Sequence, residues 1–138
     1  MENVVVGVDG SEASVRAARQ AAELAKAYGA KLTILHVLSP IVLPGDASWA
    51  PLERLQSADL EQGQAIVHEV QRALGDGASQ ELVRVGPPAE TIVEVAASLK
   101  DCLVVVASTG KGVVKRILLG SVSDRVMHLC AGPVLVVR

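Results

Sequence analysis

Aromatic residues are almost missing: the chain has no Phe, one Trp and one Tyr among its 138 residues. A nucleic-acid binder that stacks on bases needs exposed aromatics and an excess of positive charge. Here thirteen Lys and Arg are outnumbered by fifteen Asp and Glu, so that class is excluded, and no nucleic-acid partner is expected. Cysteine is scarce as well. Cys102 and Cys130 lack C-x-x-C spacing and have no clustered His, which argues against a metal knot or a disulfide framework. Both read as reduced thiols in or near the core of a cytoplasmic protein, with a disulfide between them left open. No apolar run reaches the length of a membrane span, so no membrane partner is expected. The opening MENVVVGVD has no basic stretch followed by a long apolar run, hence no secretory signal.

What remains is aliphatic. Half of the residues are apolar, and with so few aromatics the core must be built of Val, Leu, Ile and Ala. Such a composition suits an α/β fold, a parallel sheet covered by Ala-rich helices. The length fits one domain, residues 1–138, able to bury about two-thirds of its unfolded surface.

Asn3 to Val8 is a β-branched run closed by Asp9, Gly10 and Ser11, a strand that stops abruptly. Ser11 is a good N-cap and Glu12 suits a first turn. Up to Tyr28, polar Arg16, Arg19, Gln20, Glu23 and Lys26 oppose an apolar stripe of Val15, Ala18, Ala22 and Ala25, an amphipathic helix that Gly29 ends. Lys31 to Leu38 is a second strand, completing a βαβ unit with a right-handed crossover. Ser39 to about Ala58 has little periodicity and carries Pro40, Pro44, Gly45, Pro51 and Trp49. So long a connection reads as a functional loop, in which Trp49 anchors the loop, covers a ligand or packs across a dimer. A helix from near Leu55 to Leu74 ends at Gly75 to Gly77. Glu81 to Val85 is a short alternating strand, expected near a sheet edge. Pro88 and Glu90 open a helix predicted over Ala89 to Lys100, with Ile92, Val95, Ala96 and Leu99 on one stripe.

The most informative stretch follows. Cys102 to Ala107 is a continuous β-branched run, a strand buried on both faces, and such strands end where ligands bind. Ser108, Thr109, Gly110 and Gly112 then let a ligand approach the backbone and let amides turn toward an anion. Gly120 and Ser121 open a last helix, predicted over Val122 to Cys130, whose unpaired amides and positive dipole end favour phosphate. In isolation, Gly110 and Gly112 read equally as turn residues and Ser121 as a helix N-cap. The strand before and the helix after favour a phosphate cradle. Val134 to Val137, after Gly132 and Pro133 break the helix, is a terminal strand that leaves an edge to be covered.

Ala107, Gly110, Gly120 and Ser121 form the pattern A-x2-G-x9-G-S. It resembles the G-x2-G-x9-G-[ST] signature of universal stress proteins of the adenine-nucleotide-binding type, departing from it at Ala107. The segment Val85 to Ile92 is similar to that family's V-G-x-P-x-x-x-I run, so the resemblance covers nearly the whole chain. It implies a doubly wound five-stranded parallel sheet, order 3-2-1-4-5, with helices on both faces. It implies a nucleoside lying against Gly7, Asp9 and Val37, with Val8, Ala107, Ser108 and Thr109 also at the nucleotide site. Phosphates would rest on Gly110, Lys111, Gly112 and Val113, and on Gly120, Ser121, Val122 and Ser123. The implied ligand is ATP or another adenylate, with Mg or Mn on its phosphates. The implied assembly is a homodimer through Pro133 to Val137. The implied role is a stress-response regulator with slow or no hydrolysis. Two alternatives stay open: a dimer that has lost nucleotide, marked by Ala107, or a slow ATP hydrolase.

One residue reads both ways. Asp9 at a strand-to-helix turn either caps the helix or hydrogen-bonds a ribose or adenine. His36, in an apolar strand with no acid, thiol or hydroxyl placed near it, reads as a satisfied core residue without catalytic role. His68 and His128 read as solvent-facing or capping. No G-x4-G-K-[ST] is present, and the glycines at 110 and 112 fail the dinucleotide fingerprint at its third position.

Overall fold

Val4, Val5 and Val6 are fully buried, and because strand side chains alternate between faces, a run apolar at every position must lie between two layers. The computed structural model, which describes residues 1–39, 52–75, 79–110 and 119–138 (side chains of the second helix from 57), has that arrangement. Its elements are β1 (Asn3–Gly7), α1 (Glu12–Tyr28), β2 (Lys31–Leu38), α2 (Leu52–Leu74), β3 (Gln80–Val85), α3 (Pro88–Ala97), β4 (Cys102–Ala107), α4 (Ser121–Leu129) and β5 (Val134–Val137). The five strands form one parallel sheet in the order β3-β2-β1-β4-β5. This is the expected doubly wound α/β fold, with β3 at one edge and β5 at the other.

Each sheet face has its own core. Val4, Val6, Ile34 and Val105 pack against Ala17, Ala18 and Ala21 of α1 and Val67 and Val70 of α2. Val5, Leu35, Val104 and Val106 pack against Ile92 and Ala96 of α3 and Val126 of α4. The alanine stripe lets α1 lie close to the sheet without the aromatic spacers this chain lacks. Every fully buried Val contributes about 1.5 kcal/mol or more through apolar surface removed from water.

The helix boundaries follow side-chain chemistry. Ser11 is the N-cap of α1, its hydroxyl accepting from Ser14 N–H at 3.1 Å, and Gly29 closes the helix at φ 65°. Three helices differ from the sequence reading. α3 stops at Ala97 rather than Lys100, because the Ser98 hydroxyl donates to Val95 O at 2.7 Å and Asp101 turns the chain at φ 47°. α4 starts at Ser121, with Gly120 as its N-cap, so Ser121 is not the cap. α2 begins at Leu52, earlier than its apolar periodicity suggested. The remaining loop, with Pro40, Pro44, Gly45, Trp49 and Pro51, lies outside the described residues, as do Gly77 and the segment 111–118 with Lys115 and Arg116. Cys102 and Cys130 are both free thiols. Among the described residues no helix is long and apolar enough to cross a membrane.

Candidate functional site

β1 and β4 are neighbours in the sheet, Val6 lying beside Val105, yet the chain leaves them toward opposite faces, to α1 and to α4. That divergence opens a crevice at their carboxyl ends, the place where open α/β sheets bind ligands. A cleft of about 300 Å³ occupies it, near the lower limit for small-molecule sites.

One side is the turn after β1. Gly10, at φ 81°, lets the chain double back into α1. Asp9 Oδ1 accepts from Ser11 N–H at 2.9 Å, and Asp9 N–H donates to Ser14 Oγ at 3.3 Å. The Ser14 hydroxyl in turn donates to Ser11 O at 2.9 Å. Asp9 therefore holds the turn, while Ser11 supplies the helix cap. Its other oxygen, Oδ2, faces the second wall: a Cβ placed on Gly110 would stand 2.7 Å from it. A glycine at 110 is what allows the β4 exit to pass so close to this carboxylate.

The second wall is the β4 exit and the start of α4. Ser108 N–H donates to Val137 O at 2.7 Å, and Ser108 O accepts from Gly120 N–H and from the Ser123 hydroxyl, the latter at 3.2 Å. Ser108 is thus consumed in joining β4, β5 and α4. A Cβ on Gly120 would meet Ser108 O at 3.1 Å, so this junction too depends on glycine. Gly120 is extended at ψ 159° and offers no side-chain cap. The first helical hydrogen bond is Asp124 N–H to Gly120 O, at 2.9 Å, which leaves the amides of Ser121, Val122 and Ser123 without a partner inside the helix.

Arg125 of α4 donates to Glu90 of α3, and this hydrogen bond holds the Glu90 carboxyl below its usual value of 4.5. Among the described residues there is no cluster of three or more His, Cys, Asp or Glu able to hold a metal.

Gly7, Val8, Asp9, Val37, Ala107, Thr109, Gly110, Gly120, Ser121, Val122 and Ser123 all line this one cleft. Ser108 does not, being turned into the strand–helix junction. Lys111, Gly112 and Val113 lie outside the described residues. Ala107 borders the cleft and also packs against the α1-side core. Sequence reasoning passed over Ser14, Leu35, Ser39, Pro88, Ile92 and Val106, which also line it. Pro88 and Ile92 had a signal in the V-G-x-P-x-x-x-I spacing; Ser14 had none. His36 is satisfied, as its setting suggested, but its partner is the Val8 carbonyl at 2.7 Å, and it lines the cleft. His68 is exposed beside Glu81, and His128 is exposed over Asp124.

Comparison with known proteins bears on this arrangement. The profile of the universal stress protein family matches residues 1–138. The chain is 36% identical to universal stress protein MJ0531 of Methanocaldococcus jannaschii, an alignment spanning 99% of this chain and 82% of that protein. Its fold superposes on the universal stress protein UspA from Lactobacillus plantarum with TM-score 0.85 at 25% identity, covering 99% of this chain and 97% of the other. A universal stress protein solved in complex with cAMP superposes with TM-score 0.72 at 32% identity, again over 99% and 97%. With the signature spacing, the sheet order and a match over its full length, this chain belongs to the universal stress protein family.

Proposed function

We propose that the protein binds an adenine nucleotide, ATP in the first instance, and acts as a homodimeric regulator of the stress response whose nucleotide occupancy is the signal. One observation carries the reading: Asp9 and Gly110, from opposite ends of the chain, face each other across a single cleft that ends at the uncapped start of α4. The residues fit such a ligand. A carboxylate beside an apolar wall of Val37 and Ile92 suits a nucleoside. First-turn amides and a close main-chain approach at Gly110 suit phosphates. The relative solved with cAMP supports the choice of adenine.

Gly7, Val8, Asp9 and Val37 would hold the nucleoside, and Thr109, Gly110, Gly120, Ser121, Val122 and Ser123 the phosphates. Any Mg or Mn would be held chiefly by the phosphates. Ala107 is compatible with this, since its methyl contributes to the α1-side core. Turnover is slow or absent in this reading, because Asp9 is engaged in the β1–α1 turn rather than poised over water.

Calorimetric titration of Mg-ATP into nucleotide-free protein, beside Gly110→Val, tests the proposal. Heat of binding that the variant loses supports it. A folded protein that gives no heat at several temperatures refutes it and leaves partner contacts as the function. Rapid multiple-turnover phosphate release, lost on changing Asp9 or Ser121, would make the protein a hydrolase instead.

A further inference from the structure

The peptide joining Val8 to Asp9 is where β1 leaves the sheet. Val8 N–H still donates to Leu35 O at 2.8 Å, but β1 ends at Gly7, so among the described residues no strand supplies a ladder partner to the Val8 carbonyl or the Asp9 amide. Main-chain groups so enclosed require partners. Both find them in side chains. His36 Nδ1 lies 2.7 Å from Val8 O, and Ser14 Oγ accepts from Asp9 N–H at 3.3 Å. A carbonyl oxygen only accepts, so Nδ1 carries the hydrogen in this contact.

The imidazole is itself confined. It stands on the α2 side of β2, in step with Leu32 and Ile34, under Gly63 of α2. A Cβ on Gly63 would come 3.1 Å from His36 Cδ2 and 3.0 Å from Val83 Cγ1, so α2 closes down on the ring as only a glycine permits. A ring fixed by a helix on one side and bonded to a main-chain carbonyl on the other is a rigid donor.

We propose that His36 is a positioning residue for the cleft: by donating from Nδ1 to the Val8 carbonyl, it fixes the plane of the Val8–Asp9 peptide and thereby the carboxylate that faces Gly110. Its consequence for ligand binding rests on the nucleotide reading above. Although its ring also borders the cleft, in this role the side chain acts through the main chain. A buried donor that merely completes the core would be replaceable by an apolar residue of similar size without effect on Asp9.

Three variants separate these roles. His36→Leu removes the donor and keeps bulk. His36→Asn keeps a donor close to the position of Nδ1. His36→Gln carries its donor one methylene further out, away from Val8 O, and serves if Leu at this position does not fold. The first readout is the Asp9 backbone amide resonance and its hydrogen exchange in nucleotide-free protein. The second is the calorimetric affinity for Mg-ATP. Expected are a displaced, faster-exchanging Asp9 amide and about tenfold weaker Mg-ATP binding in the Leu or Gln variant, as for loss of one hydrogen bond, with both restored in the Asn variant. An Asp9 amide unmoved in the Leu or Gln variant overturns the proposal, as does an Asn variant no better than these. If wild-type protein gives no heat with Mg-ATP while the Asp9 amide responds as stated, the nucleotide reading fails and the positioning role stands.

Discussion

The Ser123 hydroxyl lies 3.2 Å from Ser108 O and 3.0 Å from Gly120 O, and shares its one hydrogen between them. Through this contact the first turn of α4 is fastened to the exit of β4, which joins the two halves of the second cleft wall. Ser123→Ala should cost about 1 kcal/mol, the value of one buried hydrogen bond, since both carbonyls keep an amide donor. Urea denaturation measures it; a wild-type midpoint would show that the hydroxyl joins nothing.

Gly7 lies at the end of β1, beside Ile92. A Cβ there would stand 2.9 Å from Ile92 Cδ1, the far end of a flexible side chain. Gly7→Ala should therefore fold, at an overpacking cost of about 1 kcal/mol, and should narrow the cleft. Mg-ATP affinity should fall by a larger factor than stability explains. Loss of stability with unchanged affinity would remove Gly7 from the site.

Acid should dissolve the tie between α3 and α4. The hydrogen bond from Arg125 lowers the Glu90 pKa in the folded chain, so its stabilisation is present above the unfolded carboxyl value and is lost as pH falls through the folded one. Glu90→Gln should melt lower than wild type at neutral pH, and the gap should close in acid. A gap independent of pH would mean that the carboxylate charge contributes nothing. The pair is largely exposed, so the effect is small and salt-sensitive.

Burial pushes the Cys102 thiol above its ordinary value of 9.0. The reactive thiolate is then scarce at neutral pH, and iodoacetamide should label Cys102 slowly in the folded protein and rapidly in urea. Equal rates in the two states would contradict the burial.

The β5 edge carries the proposed dimer contact. Pro133 O and Val137 O accept from Val104 of β4 and from Ser108 just beyond it, so alternation turns the main chain of Val134 and Val136 outward. Val136→Pro removes an outward N–H and no bond to β4. It should leave the fold intact and convert a dimer to a monomer in sedimentation velocity. A wild-type protein that sediments as a monomer, or a dimer indifferent to this change, would rule out pairing through Pro133 to Val137.

Much of the architecture was legible residue by residue. β2 and β4 have the expected bounds, because unbroken apolar runs flanked by turn residues admit one reading. Ser11 capped α1 as its type and position required. The end of α3 was not legible, since its apolar stripe continues to Leu99 while a single hydroxyl, on Ser98, closes the helix by bonding back to Val95. The strand order came through the resemblance to a family, not through periodicity, which says nothing of which strands are neighbours.

The candidate site divides in the same way. Local pattern alone marked the glycines at 110 and 120, Asp9 after the first strand, and a helix start suited to anions, because turns and caps are decided by neighbours in the chain. Only the tertiary structure decided that Asp9 Oδ2 faces Gly110, that Ser108 turns away from the cleft into the β4–β5–α4 junction, and that His36 reaches the Val8 carbonyl. The physical reason is common to all three: each depends on which strand ends the sheet brings side by side and on how closely a helix closes over them, distances that sequence spacing does not contain.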